Sequence, residues 1–412
     1  MPAAMKKTIA IIACANTKMA EMELLRTMVE RGGFEALTID ISSRGGYQYA
    51  AGISADEVAR AGGSTIEKVW TTTSRAEAIS AMEAGVTNVV SELYAKGRIH
   101  GAIGIGGLQN STMAASALRT LPIGIPKFLL STVACGNRPF ELLVGEKDVT
   151  VMPSVADIAG INPITETVLK NAAAAVMGMV MFAGEKLAPT KPLIAATMMG
   201  ATNDGIANAV KLLENDGLSV VTFHSTGVGG RCMESLILDG SISAAFDLCP
   251  HEIISQDVFG GGFSAGAKNR LCAAAKKGIP TVVAPGGMDF VDFPAKEFLD
   301  GIIGDPKQRK YVLHNKDIAH IKLLPDEAAR GARLMAQRLN AHTGKLTVLL
   351  PLGGLRSETR AGEPLYDPAV DAAIFDTLRR ELKSEIKRVE LDCHLFDAAF
   401  SRAAADEMKA LL

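Results

Sequence analysis

The groups best able to do chemistry in this chain sit in short glycine-, serine- and threonine-rich stretches. The first is Asn16-Thr17-Lys18, with Glu21 and Glu23 just beyond. Amides at a helix start favour an anion and the lysine adds positive charge; the same residues also suit a plain helix cap. Gly106-Gly107 followed by Asn110-Ser111-Thr112 combines a backbone that a ligand can approach with two hydroxyls. It is neither a Walker loop nor a dinucleotide fingerprint. Ser131-Thr132 and Gly136-Asn137 make a third polar turn. The three stretches together suit one polyphosphate, while each alone is also an ordinary tight turn.

In the second half, His224 precedes Thr226-Gly227-Val228-Gly229-Gly230-Arg231, a glycine-rich backbone ending in a guanidinium. Arginine grips phosphate or carboxylate with two parallel bonds. A hydrogen-bonded strand-end histidine and an Arg231–Glu234 pair are the plainer alternatives. Gly262-Phe263-Ser264-Ala265-Gly266 spells a nucleophile elbow, and Asp289 or Asp292 followed by His314 or His320 keeps the chain order of a hydrolase triad. Glycines stand where the elbow needs a strand, so a ligand grip is the stronger expectation. Asp148 and Asp157, with Asp289 and Asp292, are the carboxylates available to Mg²⁺, which takes one or two of them plus phosphate oxygens. His224 and Asp157 are the candidates for a catalytic role should such a phosphate ligand be turned over. The seven histidines are scattered, which disfavours zinc.

These stretches need elements to position them. Short β-branched runs (Thr8–Cys14, Ala36–Ile41, Gly101–Ile105, Lys127–Ser131, Val149–Met152) alternate with helix-like segments, of which Ile164–Phe182 is the last. A proline-bearing segment around Pro189 and Pro192 reads as a linker. A second series follows with strands at Leu193–Met198, Ser219–His224, Ala244–Leu248, Thr281–Ala284, Leu346–Pro351 and Lys387–Leu391. Continuous apolar strands separated by helices signal parallel sheets covered on both faces. The expected architecture is two doubly wound, Rossmann-like α/β domains, residues 1–186 and 190–412, with mostly parallel sheets and a cleft between them. Ligands in such sheets bind beyond the carboxyl ends of the strands.

Composition narrows the partners. The 412 residues exceed one domain of about 150. A net charge of -2 gives no global attraction to nucleic acid or anionic lipid. The apolar run Ile9–Ala13 is too short for a secretory core, and Ala172–Ala183 is too short to cross a bilayer. Six widely spaced cysteines suit reduced thiols. A cytoplasmic protein handling small molecules, with no nucleic-acid or membrane partner, is the expectation.

Taken in order, the motifs resemble the Tm-one-like ATP-binding family, a bacterial family related to the N-terminal part of a plant tobamovirus-resistance protein. The likeness runs through Asn16-Thr17-Lys18, Ile105-Gly106-Gly107, Ser131-Thr132-Val133-Ala134-Cys135-Gly136 and Met152-Pro153-Ser154-Val155-Ala156-Asp157. It continues through Phe223-His224-Ser225-Thr226-Gly227 to Arg231, Ser264-Ala265-Gly266, Leu313-His314-Asn315 and Asp392-Cys393-His394. The family has Asp where this chain has Asn16, and a plainer glycine turn where it has Leu108–Thr112. The resemblance implies ATP and Mg²⁺ as ligands, a homo-oligomer of at least a dimer and, by analogy, a separately encoded TIM-barrel partner. On that reading the first domain's loops hold phosphates, and Thr226, Gly227, Gly229, Gly230 and Arg231 face them. The alternative is an enzyme acting on a small carboxylated or acyl substrate through Ser264 or His224.

Overall fold

The computed structural model describes residues 6–134, 141–183 and 192–412. Two compact units divide the chain, Met1–Leu187 and Ala188–Leu412. Unit 1 starts from β1 (Thr8–Ala13), an apolar run buried along nearly its whole length, as a central parallel strand must be. Then come α1 (Ala15–Arg31), β2 (Glu35–Asp40), α2 (Ala55–Ala61), α3 (Ile66–Thr71) and α4 (Arg75–Ala95). They are followed by β3 (Gly101–Gly106), α5 (Leu108–Leu118), β4 (Lys127–Ser131), α6 (Glu141–Val144), β5 (Thr150–Pro153) and α7 (Pro163–Phe182).

The strands of unit 1 pair in parallel in the order β2-β1-β3-β4-β5. Side chains of a strand alternate between faces. Ile9 and Ile11 therefore join Met22, Leu25 and Val176 in one layer, while Ala10 and Ile12 join Val58, Met82 and Met113 in the other. α1 and α7 cover the first face; α2, α4 and α5 cover the second. Strand order reverses between β1 and β3, which opens a crevice at their carboxyl ends.

Unit 2 contains β6 (Leu193–Met198), α8 (Asn203–Asn215), β7 (Ser219–His224), α9 (Val228–Asp239), β8 (Ala244–Asp247), α10 (Cys272–Lys277) and β9 (Thr281–Val283). Next are β10 (Phe290–Pro294), α11 (Ala295–Leu299), β11 (Tyr311–Leu313), β12 (Ile318–Lys322), α12 (Pro325–Leu339), β13 (Leu346–Pro351), α13 (Pro368–Glu381), β14 (Lys387–Leu391) and α14 (Ala398–Leu411). Its main sheet is parallel in the order β14-β13-β9-β8-β6-β7. Ile206 and Val210 of α8 share a layer with Phe400 and Met408 of α14; Met335 of α12 and Ile374 of α13 lie in another. Both units are doubly wound, Rossmann-like α/β domains.

Two features depart from the sequence pattern. Helices α2 and α3 fill a stretch to which the sequence pattern assigns no element; Ser54 and Thr65 accept from the backbone three residues on and so start them. A small antiparallel sheet, β10-β12-β11, is inserted after β9. Its strands carry Asp292, His320 and Lys322 among apolar residues, and that mixture hides the strand period until partners for the charges are known. No helix among the described residues is long and apolar enough to cross a membrane.

Candidate functional site

The three polar loops of unit 1 meet at the carboxyl edge of its sheet. Cys14, after β1, places Sγ 3.3 Å from Asn110 Oδ1 on α5. Ser111 Oγ lies 2.6 Å from Ser131 Oγ, and the Thr132 amide donates to the Gly106 carbonyl at 3.1 Å. A Cβ on Gly106 would lie 2.4 Å from Asn110 Cβ, so glycine here lets α5 approach β3. Burial pushes the Cys14 thiol up to about 11, which leaves it a packing group rather than a nucleophile.

The two helix starts at this edge differ. At α1 the Ala15 amide donates to Asp40 Oδ1 at 3.0 Å and the Asn16 amide to Ser42 Oγ at 3.0 Å. The next two amides, Thr17 and Lys18, return to the Cys14 carbonyl. A carboxylate of the chain thus already sits where an anion was expected. Lys18 is buried and its Nζ donates to the Ile158 carbonyl, tying α1 to the β5–α7 loop; Thr17 is exposed, and Asn16 Oδ1 is buried without a hydrogen-bond partner among the described residues. Asn16, Thr17 and Lys18 do not form a phosphate cradle in this arrangement.

At α5 no side chain caps the helix, whose N-cap is Gly107. The amides of Leu108, Gln109 and Asn110 precede the first intrahelical bond, from Ser111 to Gly107. Thr132 Oγ1 lies 3.6 Å from the position a Gly107 Cβ would take, and Arg75, opening α4, donates to Gln109 Oε1. Ser111 and Ser131 hydroxyls are buried and bond each other, so they hold the loops together; Thr112 Oγ1 donates back to Leu108. Gly136 and Asn137 lie outside the described residues.

Of the two expected metal carboxylates, Asp148 is placed wrongly for the task. It pairs with Lys127 Nζ at 2.7 Å and accepts from the Gly124 amide at 2.8 Å. Lys127 opens β4, so this pair marks the amino edge of the sheet, opposite the loops just described. Asp157 is exposed on the β5–α7 loop, at the carboxyl edge. Among the described residues no group of three or more His, Cys, Asp or Glu could hold a metal ion.

In unit 2 the glycine-rich loop turns inward. A Cβ on Gly227 would fall 2.0 Å from the Ala265 carbonyl oxygen, on Gly229 2.0 Å from that of His224, and on Gly230 2.3 Å from Glu252 Oε1. The Gly230 amide donates to Glu252 Oε1 at 3.1 Å and Arg231 Nη1 to the Gly266 carbonyl at 3.2 Å. These glycines are required by close packing of the chain on itself, and Gly230 has no amide left for a ligand. Behind them lies a fully buried Arg270, which bonds Glu234 at 2.7 Å, Asp247 at 2.8 Å and Glu252 at 3.1 Å. Thr197 donates to Asp247 at 2.6 Å across the gap between β6 and β8, where strand order reverses. Thr197 and Arg270 both bond Asp247 there. His224 is exposed, with Nδ1 3.2 Å from Thr226 Oγ1.

The triad around Ser264 does not assemble. Ser264 is fully buried and its Oγ donates to Asp292 Oδ2 at 2.7 Å, which places the acid rather than a histidine beside the hydroxyl. His251, which the sequence pattern passed over, puts Nε2 3.7 Å from Asp292 Oδ1 and Nδ1 2.6 Å from the Gly287 carbonyl. Burial alone would lower this imidazole, but the Asp292 carboxylate outweighs it and holds the ring above its usual range. His314 and His320 stack on each other at 4.7 Å, and His320 Nδ1 faces the Arg356 guanidinium at 3.2 Å.

His320 makes the stability of unit 2 sensitive to acid. Burial and then the Arg356 charge push it down to about 3. Below pH 6.5 the unfolded chain takes up a proton that the native ring refuses. The contribution of this ring to stability is therefore full above pH 6.5 and falls as pH drops toward 3. In denaturant titrations across that window, His320→Gln should lessen the loss, with His342 and His394, also lowered by burial, accounting for part of what remains; an unchanged profile would contradict the assignment.

The N-terminal domain model of the Uncharacterised protein family (UPF0261) matches residues 7–185, and its C-terminal domain model matches residues 191–412. A UPF0261 protein of Clostridium tetani is 36% identical over 406 residues, 98% of both chains. The ToMV resistance protein Tm-1 of Solanum lycopersicum is 34% identical over 344 residues, 81% of this chain and 44% of the tomato protein. Among solved structures, a co-structure of S. aureus MnaA with UDP aligns over 98% of this chain and 96% of its own, at 11% identity and a TM-score of 0.19.

Proposed function

This chain belongs to the uncharacterised protein family UPF0261, and we propose that its first unit binds the polyphosphate of a nucleotide, ATP with Mg²⁺, at the start of α5. The observation that carries this reading is the meeting of uncapped helix amides at Gly107–Asn110 with the Thr132 hydroxyl and the Arg75 guanidinium. A helix start offers N–H groups and partial positive charge to an anion, and a guanidinium strengthens the hold. Mg²⁺ would neutralise part of the triphosphate charge, and Asp157 is the carboxylate at that edge of the sheet available to it. The reading is one of binding; it assigns no turnover.

Calorimetric titration with Mg-ATP and with inorganic tripolyphosphate tests it. Charge-assisted hydrogen bonds contribute about 1.5–3 kcal/mol, so Arg75→Ala should weaken both ligands roughly tenfold or more. Thr132→Val should have a smaller effect in the same direction. Absence of heat from either ligand at millimolar concentration would refute the reading.

A further inference from the structure

The loop after β2, together with α2 and α3, encloses a groove of about 450 Å³, within the ~300–1,000 Å³ of small-molecule sites. Tyr47, Gln48, Tyr49, Asp56, Ile66 and Trp70 form its walls. The fold builds it from the end of β2 outward. Asp40 accepts from Ser42 and from the Tyr47 hydroxyl, which fixes the loop. The Tyr47 ring meets Trp70 edge to face at 6.1 Å, and the indole Nε1 donates to the Ser42 carbonyl at 3.4 Å. A Cβ on Gly45 would lie 2.8 Å from the indole, so glycine lets the loop backbone rest against the ring. Tyr49 donates to Glu23 at 2.7 Å and closes the far wall. Trp70 still keeps 40% of its surface exposed.

We infer that this groove takes the base of the nucleotide whose phosphates lie at α5, an inference that rests on the reading above. β2 and β3 flank β1, so their carboxyl ends stand two strand spacings apart, about 10 Å. That span suits a ribose between phosphate and base. Trp70 closes α3 and Arg75 opens α4 a few residues later, which brings the aromatic wall and the phosphate-side guanidinium onto one stretch of chain. A base stacked on an aromatic face gains about 1–3 kcal/mol. The exposed Gln48 amide can both donate and accept, and the Asp56 carboxylate, although paired with Arg60, is part-exposed. These groups complement a purine bearing an amino group, such as adenine. Dinucleotide folds use an acid at the position of Asp40 to hold a ribose. Here its oxygens already accept from Ala15, Ser42 and Tyr47, so stacking and Gln48 do the recognition.

Trp70 is the single tryptophan of the chain and so reports on this groove alone. The full chain is titrated with Mg-ATP, adenosine and tripolyphosphate, following indole emission and heat in parallel. Adenosine and ATP should change the emission saturably, while tripolyphosphate releases heat and leaves emission unchanged. Gln48→Ala, at an exposed position, should weaken ATP and adenosine at least threefold and leave tripolyphosphate within twofold. Trp70→Leu should weaken ATP about tenfold by heat. ATP binding with unchanged emission and wild-type affinity in both variants overturns the groove assignment and spares the phosphate site. Absence of heat from all three ligands overturns both.

Discussion

Replacing Arg270 with methionine should destabilise unit 2 by on the order of 3–5 kcal/mol, the range for breaking a buried ion pair by removing one partner. Methionine matches the arginine stem in bulk and adds no new clash, so the loss isolates the charge. Three carboxylates, Glu234, Asp247 and Glu252, would then share a dry pocket with no cation bonded to them. Burial already pushes Glu234 and Glu252 above the usual carboxylate range against the pull of Arg270. Without Arg270 they must bind protons to remain inside. The variant should accordingly lose least at acidic pH and progressively more as pH rises, since raised carboxyl groups favour the native state only below their unfolded range. Urea unfolding of unit 2 at pH 5 and pH 8 measures both effects. A loss below about 1 kcal/mol, or one independent of pH, would mean that the carboxylates find other partners.

Gly227→Val should also destabilise unit 2, by roughly 2–5 kcal/mol. Gly227 has φ of 83°, where a side chain costs about 1–2 kcal/mol, and its Cβ would fall 2.0 Å from the Ala265 carbonyl oxygen. Relief requires moving backbone, which adds about 1–3 kcal/mol. Gly240 provides the control: its φ is 85° but nothing lies within 4 Å. Gly240→Val should cost only the conformational part. Equal losses at the two positions, read from denaturant midpoints, would deny the close contact.

The same glycine shows how far a sequence can be read. The strands Lys127–Ser131, Leu193–Met198 and Leu346–Pro351 are legible because apolar runs buried on both faces need no knowledge of their neighbours. The glycine-rich string from Gly227 to Gly230 is legible as a place of close approach, but not what approaches. A phosphate and the chain's own Glu252 make the same demand on the backbone. Asp148 misleads for a related reason, since its partner Lys127 lies far along the chain and puts the pair at the amino edge of the sheet. The α5 start was visible from its small residues. Arg75 was not, for it is an ordinary surface arginine until α4 and α5 pack together.

Asp40 gives the carboxyl edge of unit 1 a direction. Its carboxylate acts as a resident counter-ion at one helix end, while the other end is bare and has a guanidinium near it. The Asp40 carboxylate thus stands beside β2, and the Arg75 guanidinium lies at the helix that follows β3. On the proposed reading, a ligand with one anionic and one neutral end would set its anionic end at the bare start of α5, away from Asp40.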